Sequence, residues 1–150
     1  MEPARSAPLD AALATVREHG LRASTARRVL LTALIAAERP VTAEALARGL
    51  DGRVPQSDVA SLYRNLDVLE RAGIVRRLRS GCGAAVYTLV QGADAGYVAC
   101  ERCGEVRAAE PRAIAAIRAT VRAAIGYEAS FTHVPLVGTC ERCARAGPRT

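Results

Sequence analysis

Apolar residues recur with a helical period in several stretches of this chain and gather into short extended runs in others. Residues 9–19 (LDAALATVREH) have helical spacing, with Gly20 as the stop. Ser24 is placed to N-cap a second helix over 25–37, whose Val29, Leu30, Ala33, Leu34 and Ala37 predict one apolar stripe. Pro40 ends that segment, and Thr42 caps a short helix over 43–50 with Leu46 and Leu50 on one face. After the loop DGRVPQ, Ser57 or Asp58 caps the cleanest helix, over 59–72. Its Val59, Leu62, Leu66 and Leu69 form the inner face, and Gly73 terminates it.

Two strand-like runs follow, 74–79 (IVRRLR) and 84–90 (AAVYTLV), joined by the turn SGCG as a hairpin. Three or four helices followed by a hairpin is the order of a winged helix-turn-helix. Residues 91–96 (QGADAG) are small and polar and read as a linker. Beyond them, YVAC (97–100) and EVRAA (105–109) read as strands. A helix over 111–125 carries Ile114, Ile117, Val121 and Ile125 in register, with Pro111 in its first turn and Gly126 as its stop. A last strand is expected within 130–140, confined to an edge or a bulge by Pro135. The final residues, 144–150, read as a frayed tail. The expected fold class is α+β: a winged helix-turn-helix domain over 1–90, a linker over 91–96 and a small α/β domain over 97–150.

Composition narrows the chemistry. Half of the 150 residues are hydrophobic, which argues against disorder, but only 3% are aromatic and there is no Trp. All 21 basic side chains are arginines, a bias that fits a GC-rich coding sequence. The net charge of +6 favours an anionic partner, nucleic acid being the commonest. No apolar run approaches the roughly 18 residues of a membrane span, and the first ten residues lack the apolar core of a signal peptide. A cytoplasmic protein is expected, in which CxxC pairs point to metal or redox chemistry rather than to structural disulfides.

Four of the five cysteines fall in two copies of one quartet, Cys100-Glu101-Arg102-Cys103 and Cys140-Glu141-Arg142-Cys143. The flanking sequences are unrelated, so this is not a repeat. Structural zinc takes four thiolates in a tetrahedron, and Gly104 permits the tight backbone of a CxxC knuckle. A strand–helix–strand between the pairs brings them together, and the surplus negative charge is offset by backbone N–H groups, Arg102 and Arg142. A single zinc on Cys100, Cys103, Cys140 and Cys143 is the expectation. A thioredoxin-like dithiol is the weaker alternative, because neither pair is expected to open a helix after a strand. Cys82, in the hairpin turn near Arg76, Arg77 and Arg79, is either an ordinary turn residue or a thiol activated by those cations.

Five stretches in order, 20–31 (GLRASTARRVLL), 40–50 (PVTAEALARGL), 59–78 (VASLYRNLDVLERAGIVRRL), 97–106 (YVACERCGEV) and 138–143 (GTCERC), resemble the ferric uptake regulator family of bacterial metal-responsive repressors over about residues 10–143. The resemblance implies a winged helix for double-stranded operator DNA and a C-terminal dimerisation domain holding structural zinc. The family's Thr-Val-Tyr-Arg motif on the recognition helix matches Ser61, Leu62, Tyr63 and Arg64. Arg64 suits a phosphate or guanine, Tyr63 a thymine methyl, and the small Ser61 a close approach. Asn65 adds a further polar group. Arg27 matches the Arg of a Gln-Arg pair that grips the backbone, the Gln being replaced by Ala26. The bland reading of these side chains is a solvated polar helix face.

The family's His-rich sensing site has no counterpart here. Its positions before the first CxxC read Asp94, Ala95, Gly96 and Tyr97; its carboxylates fall at Thr88 and near Ala108 and Ala115; its interdomain histidine falls at or beside Pro40. His133 remains as a relic and His19 lies elsewhere. Regulatory Fe, Mn or Zn sites need several converging imidazoles and carboxylates, which requires recruits such as Asp94 and Glu110. The expected function is therefore a homodimeric, DNA-binding transcriptional regulator, a repressor, with one structural zinc per chain and no standard metal sensor. Two alternatives stand beside it: a metal-responsive repressor using a rearranged site, and a zinc-dependent interaction module that no longer reads DNA. An enzyme is disfavoured, because a zinc held by four thiolates leaves no open position and no nucleophile–base pairing or small-molecule substrate site is visible.

Overall fold

A computed structural model of the chain describes residues 6–79, 83–90, 92, 95–131 and 134–147. Cys82 and its turn, Asp94 and most of the linker, His133 and the last three residues lie outside the described residues. The chain divides into two compact units, Met1–Arg77 with Tyr87–Val90, and Leu78–Val86 with Gln91–Thr150.

In the first unit, α1 (Ser6–Glu18) buries Leu13 and Val16 and stops before Gly20, whose φ of 70° places it in the left-handed region. Helix α2 (Thr25–Ala36) starts where Ser24 Oγ accepts a hydrogen bond from the Arg27 amide. Its buried side is Leu30, Leu31, Ala33 and Leu34, with Ala37 just beyond. The stripe is thus turned by one position from the expected one: Leu31 is inside and Val29 only half-buried.

A two-residue strand, β1 (Val41–Thr42), precedes α3 (Ala43–Ala47), which Thr42 caps through the Ala45 amide. The expected helix over 43–50 ends early. Residues Gly49–Gly52 form a turn, α4, in which Gly49, Leu50, Asp51 and Gly52 all have positive φ. Each non-glycine residue in that conformation costs about 1–2 kcal/mol, and burial of Leu50 to 3% exposure offsets the strain. Gly49 permits nothing larger, since a Cβ there would lie 2.1 Å from the Val54 carbonyl oxygen.

Asp58, not Ser57, caps α5 (Val59–Arg71), its carboxylate accepting from the Ser61 amide at 2.8 Å. Leu62, Leu66 and Leu69 are buried, whereas Val59 is 55% exposed, because the first turn runs past the edge of the core. Gly73 closes the helix at φ 70°. Helices α1 and α2, α2 and α5, and α3 and α5 pack in pairs. The hairpin strands β2 (Val75–Leu78) and β3 (Val86–Leu89) join β1 in a sheet of order β1-β3-β2.

The second unit is a sheet of order β5-β4-β6 with one long helix. Strand β4 (Tyr97–Cys100) pairs antiparallel with β5 (Val106–Ala108), with Ala99 opposite Val106, and parallel with β6 (Leu136–Gly138), with Cys100 opposite Gly138. A parallel return needs a crossover, and α6 (Pro111–Ile125) lies in it, begun by Pro111 and ended by left-handed Gly126. Of the expected strand over 130–140, the described residues hold β6, an edge strand starting just after Pro135. Tyr97, Ala99 and Val106 pack with Leu78 and Val86, and Ala95 lies against them. Of the predicted α6 stripe only Ile114 is buried; Ile117 and Val121 are half-buried and Ile125 is 66% exposed. No helix among the described residues is long and apolar enough to cross a membrane.

Candidate functional site

Two sites emerge, one in each unit. In the second, β4 delivers Cys100 at its end, and the chain turns back through Gly104, whose φ is 74° and whose amide donates to the Cys100 carbonyl at 2.8 Å. The second pair begins two residues after β6. Cys140 is the N-cap of a short helix, α7 (Glu141–Arg145), and donates its amide to Cys100 Sγ at 3.3 Å. The expectation that neither pair opens a helix after a strand is therefore corrected for the second. The turn after β6 bends into a helix directly after Cys140, its N-cap.

All four sulfurs lie within 4.8 Å of one another, and Cys103 Sγ and Cys140 Sγ are 3.9 Å apart. A tetrahedron of thiolates at the usual Zn–S length has edges of about 3.8 Å, so the donor set and spacing fit such an ion. Among the described residues no other group of three or more His, Cys, Asp or Glu side chains converges in this way. Cys100 is buried, Cys140 and Cys143 are half-buried and Cys103 is exposed. Backbone amides of Cys140 and Cys103 hold the Cys100 thiol down at about 6, and the Glu105 amide lowers Cys103. Cys143 is pushed up to about 12, chiefly by sharing its proton with Cys140. A cation bound by such a cluster displaces the remaining thiol protons to solvent.

The inner residues of the quartets clasp the two halves. Thr139 Oγ1 donates to Glu101 at 3.0 Å, and the Glu101 amide donates to Gly138. Arg142 faces Cys103, which raises its already high pKa, and lies 3.8 Å from Glu105. The expected charge-offsetting role thus suits Arg142. The Arg102 guanidinium instead donates to the Cys143 and Gly147 carbonyls, at the C-terminal end of α7 where a cation is favoured.

The second site is the outer side of α5. Its buried leucines turn Ser61, Tyr63, Arg64 and Asn65 outward or to the flank. Arg64 is exposed and makes no hydrogen bond or ion pair with another described residue. Asn65 is bonded within the protein at both ends of its amide: its Oδ1 accepts from Arg27 Nε at 3.2 Å and its Nδ2 donates to the Ser61 carbonyl at 2.8 Å. Arg27 also donates to the Arg22 carbonyl. The predicted contact residues are therefore exposed or half-buried neighbours on two helices, with Asn65 linking Ser61 to Arg27. Glu44, which no sequence pattern singles out, accepts a hydrogen bond from the Tyr63 hydroxyl at 3.1 Å. The two are 19 positions apart, and only the fold brings them together.

At the positions where the resemblance places sensing ligands, Tyr97 is 2% exposed in the sheet core and Ala95 packs on it. A Cβ on Gly96 would lie 2.4 Å from Ile114 Cδ1. His19 Nδ1 sits 2.8 Å from the Thr15 carbonyl oxygen of its own helix.

Comparison with known proteins agrees with this architecture. The ferric uptake regulation protein of Neisseria meningitidis is 30% identical over 138 residues, covering 91% of this chain and 96% of its own. The peroxide operon regulator of Bacillus subtilis is 26% identical over 137 residues, covering 91% and 94%. A solved structure of the ferric uptake regulator from Pseudomonas aeruginosa with manganese superposes with a TM-score of 0.64 at 26% identity, covering 86% of this chain and 97% of that one. These relatives are regulators, in line with the expectation of a regulator rather than an enzyme. With a family profile matching residues 18–136, a winged-helix order of elements and paired CxxC turns, the chain belongs to the ferric uptake regulator family.

Proposed function

We propose that this chain is a cytoplasmic, homodimeric transcriptional repressor that binds double-stranded operator DNA through α5. It holds one structural zinc on Cys100, Cys103, Cys140 and Cys143 and lacks the His-rich sensing site. The observation that carries the DNA reading is the outer side of α5, where Tyr63 and Arg64 stand exposed above a buried leucine face. A helix so presented reaches phosphates and base edges in a major groove. Zinc is supported by four sulfurs at tetrahedral spacing; when bound, the ion ties the end of β4 to the start of α7. A second copy is supported by the apolar side chains left uncovered in the second unit, with Ile125 66%, Tyr127 71% and Val134 67% exposed.

The missing sensor is supported by residue chemistry. Ala95 and Gly96 offer no donor side chain, and Tyr97 is consumed by the core. The test is metal content followed by DNA binding after mild chelation and after return of Fe, Mn, Zn or Ni. One zinc per chain with binding indifferent to added metal is the expected result. A second bound metal with strong metal dependence selects the metal-responsive reading instead. Absence of sequence-selective binding at any metal load selects the interaction module.

A further inference from the structure

Glu44 is a carboxylate placed where a DNA-binding surface has least use for one. It lies in the first turn of α3, exposed, and α3 packs against α5. Phosphates repel a negative charge at such a surface, so Glu44 lowers affinity for any duplex. Its compensating contact is specific: Oε1 accepts the Tyr63 hydroxyl at 3.1 Å. Its own backbone amide, and then that hydroxyl, hold the carboxyl below its ordinary range, so it stays ionised as an acceptor. The same bond raises the Tyr63 hydroxyl pKa and keeps it a donor.

Tyr63 is 40% exposed, and a ring on an open helix face has several rotamers available to it. A hydrogen bond from the neighbouring helix selects one of them; ordering before contact lowers the cost of binding, and that gain falls on the duplex whose base edge fits the selected rotamer. We infer that Glu44 is a specificity-determining positioning residue, which fixes the Tyr63 ring for reading a base edge at the expense of non-specific affinity. This rests on the reading of α5 as the DNA-contacting helix.

The two effects have opposite signs, which gives the inference a distinctive signature. An operator is first selected from a random-sequence duplex library with the zinc-loaded wild-type dimer. Affinity for that duplex and for a scrambled one is then measured by fluorescence anisotropy, with circular dichroism to check the fold. Glu44→Ala should raise affinity for the scrambled duplex while cutting the operator-to-scrambled ratio about threefold to tenfold, the scale of one lost hydrogen bond. Glu44→Gln keeps an acceptor oxygen and should raise affinity for both duplexes with the ratio largely retained. Tyr63→Phe should cut the ratio without the non-specific gain, and should add little in the Glu44→Ala background.

An unchanged ratio in Glu44→Ala, or fully additive effects with Tyr63→Phe, overturns the inference. Tyr63→Ala and Arg64→Ala separate the two levels of argument. If neither alters DNA binding, the reading of α5 itself fails. If both weaken binding while Glu44→Ala keeps wild-type discrimination, only the role of Glu44 fails.

Discussion

Asn65 joins the middle of α5 to the start of α2, its Oδ1 receiving the Arg27 Nε–H at 3.2 Å while its Nδ2 donates back to Ser61. An asparagine facing outward from a recognition helix reads from sequence as a base contact. Here its Oδ1 also receives Arg27 and its Nδ2 reaches the Ser61 carbonyl, so the amide holds the Arg27 side chain against α5.

Asn65→Ala should therefore weaken DNA binding mainly by releasing Arg27. A part-buried hydrogen bond of this kind contributes about 0.5–1.5 kcal/mol, so the folded chain should survive with a small loss in Tm. Arg27→Ala should cost affinity alone but little more in the Asn65→Ala background. Titration of all four proteins against one duplex checks this; additive losses reject the brace.

Cys100→Ser should abolish zinc retention and destabilise the second unit. Cys100 is the buried sulfur, takes the Cys140 amide and stands at the end of β4 beside Gly138. Structural zinc in small domains contributes on the order of 10 kcal/mol of apparent binding energy, so loss of one ligand should lower Tm by many degrees. Metal analysis with thermal melting, before and after chelation, gives the result. A variant that keeps full zinc and stability rejects the four-sulfur site.

Gly96→Ala should be destabilising because Ile114 occupies the space a methyl needs, with Cδ1 2.4 Å and Cγ1 2.6 Å from the would-be Cβ. Overpacking of this kind costs about 1–3 kcal/mol. Ile114→Val should relieve part of it in the double variant, read by denaturant midpoints. Equal losses in single and double variants point to the backbone rather than to the side-chain clash.

Arg64→Ala should weaken operator and scrambled binding alike and lower the slope of log affinity against log salt by about 0.9 if the guanidinium meets a phosphate. Its side chain is exposed and makes no hydrogen bond or ion pair with another described residue, which suits that role. A loss confined to the operator, with an unchanged slope, would assign Arg64 to a base edge instead.

Much of the local structure was legible because helices and turns write their ends in few residues. Ser24, Thr42 and Asp58 cap as expected, Pro111 and Gly126 bracket α6, and the leucines of α5 face inward. Boundaries failed where tertiary demands overrode the local pattern. The 43–50 helix broke at Gly49 because the backbone turns there through four left-handed residues. Of the strand expected over 130–140, the described residues that pair with β4 are the three of β6.

Cysteine spacing and helical periodicity, properties of short stretches, determined by themselves that the chain pairs two CxxC turns and carries a helix with one leucine face. Only the tertiary structure decided what those side chains do. It brought four sulfurs to within 4.8 Å of one another, set Arg142 against a thiol, linked Asn65 to Arg27 and placed Glu44 on Tyr63. Each of these joins residues from different elements, at sequence separations that local propensity and periodicity do not constrain. Their geometry is set by how the helices and strands pack.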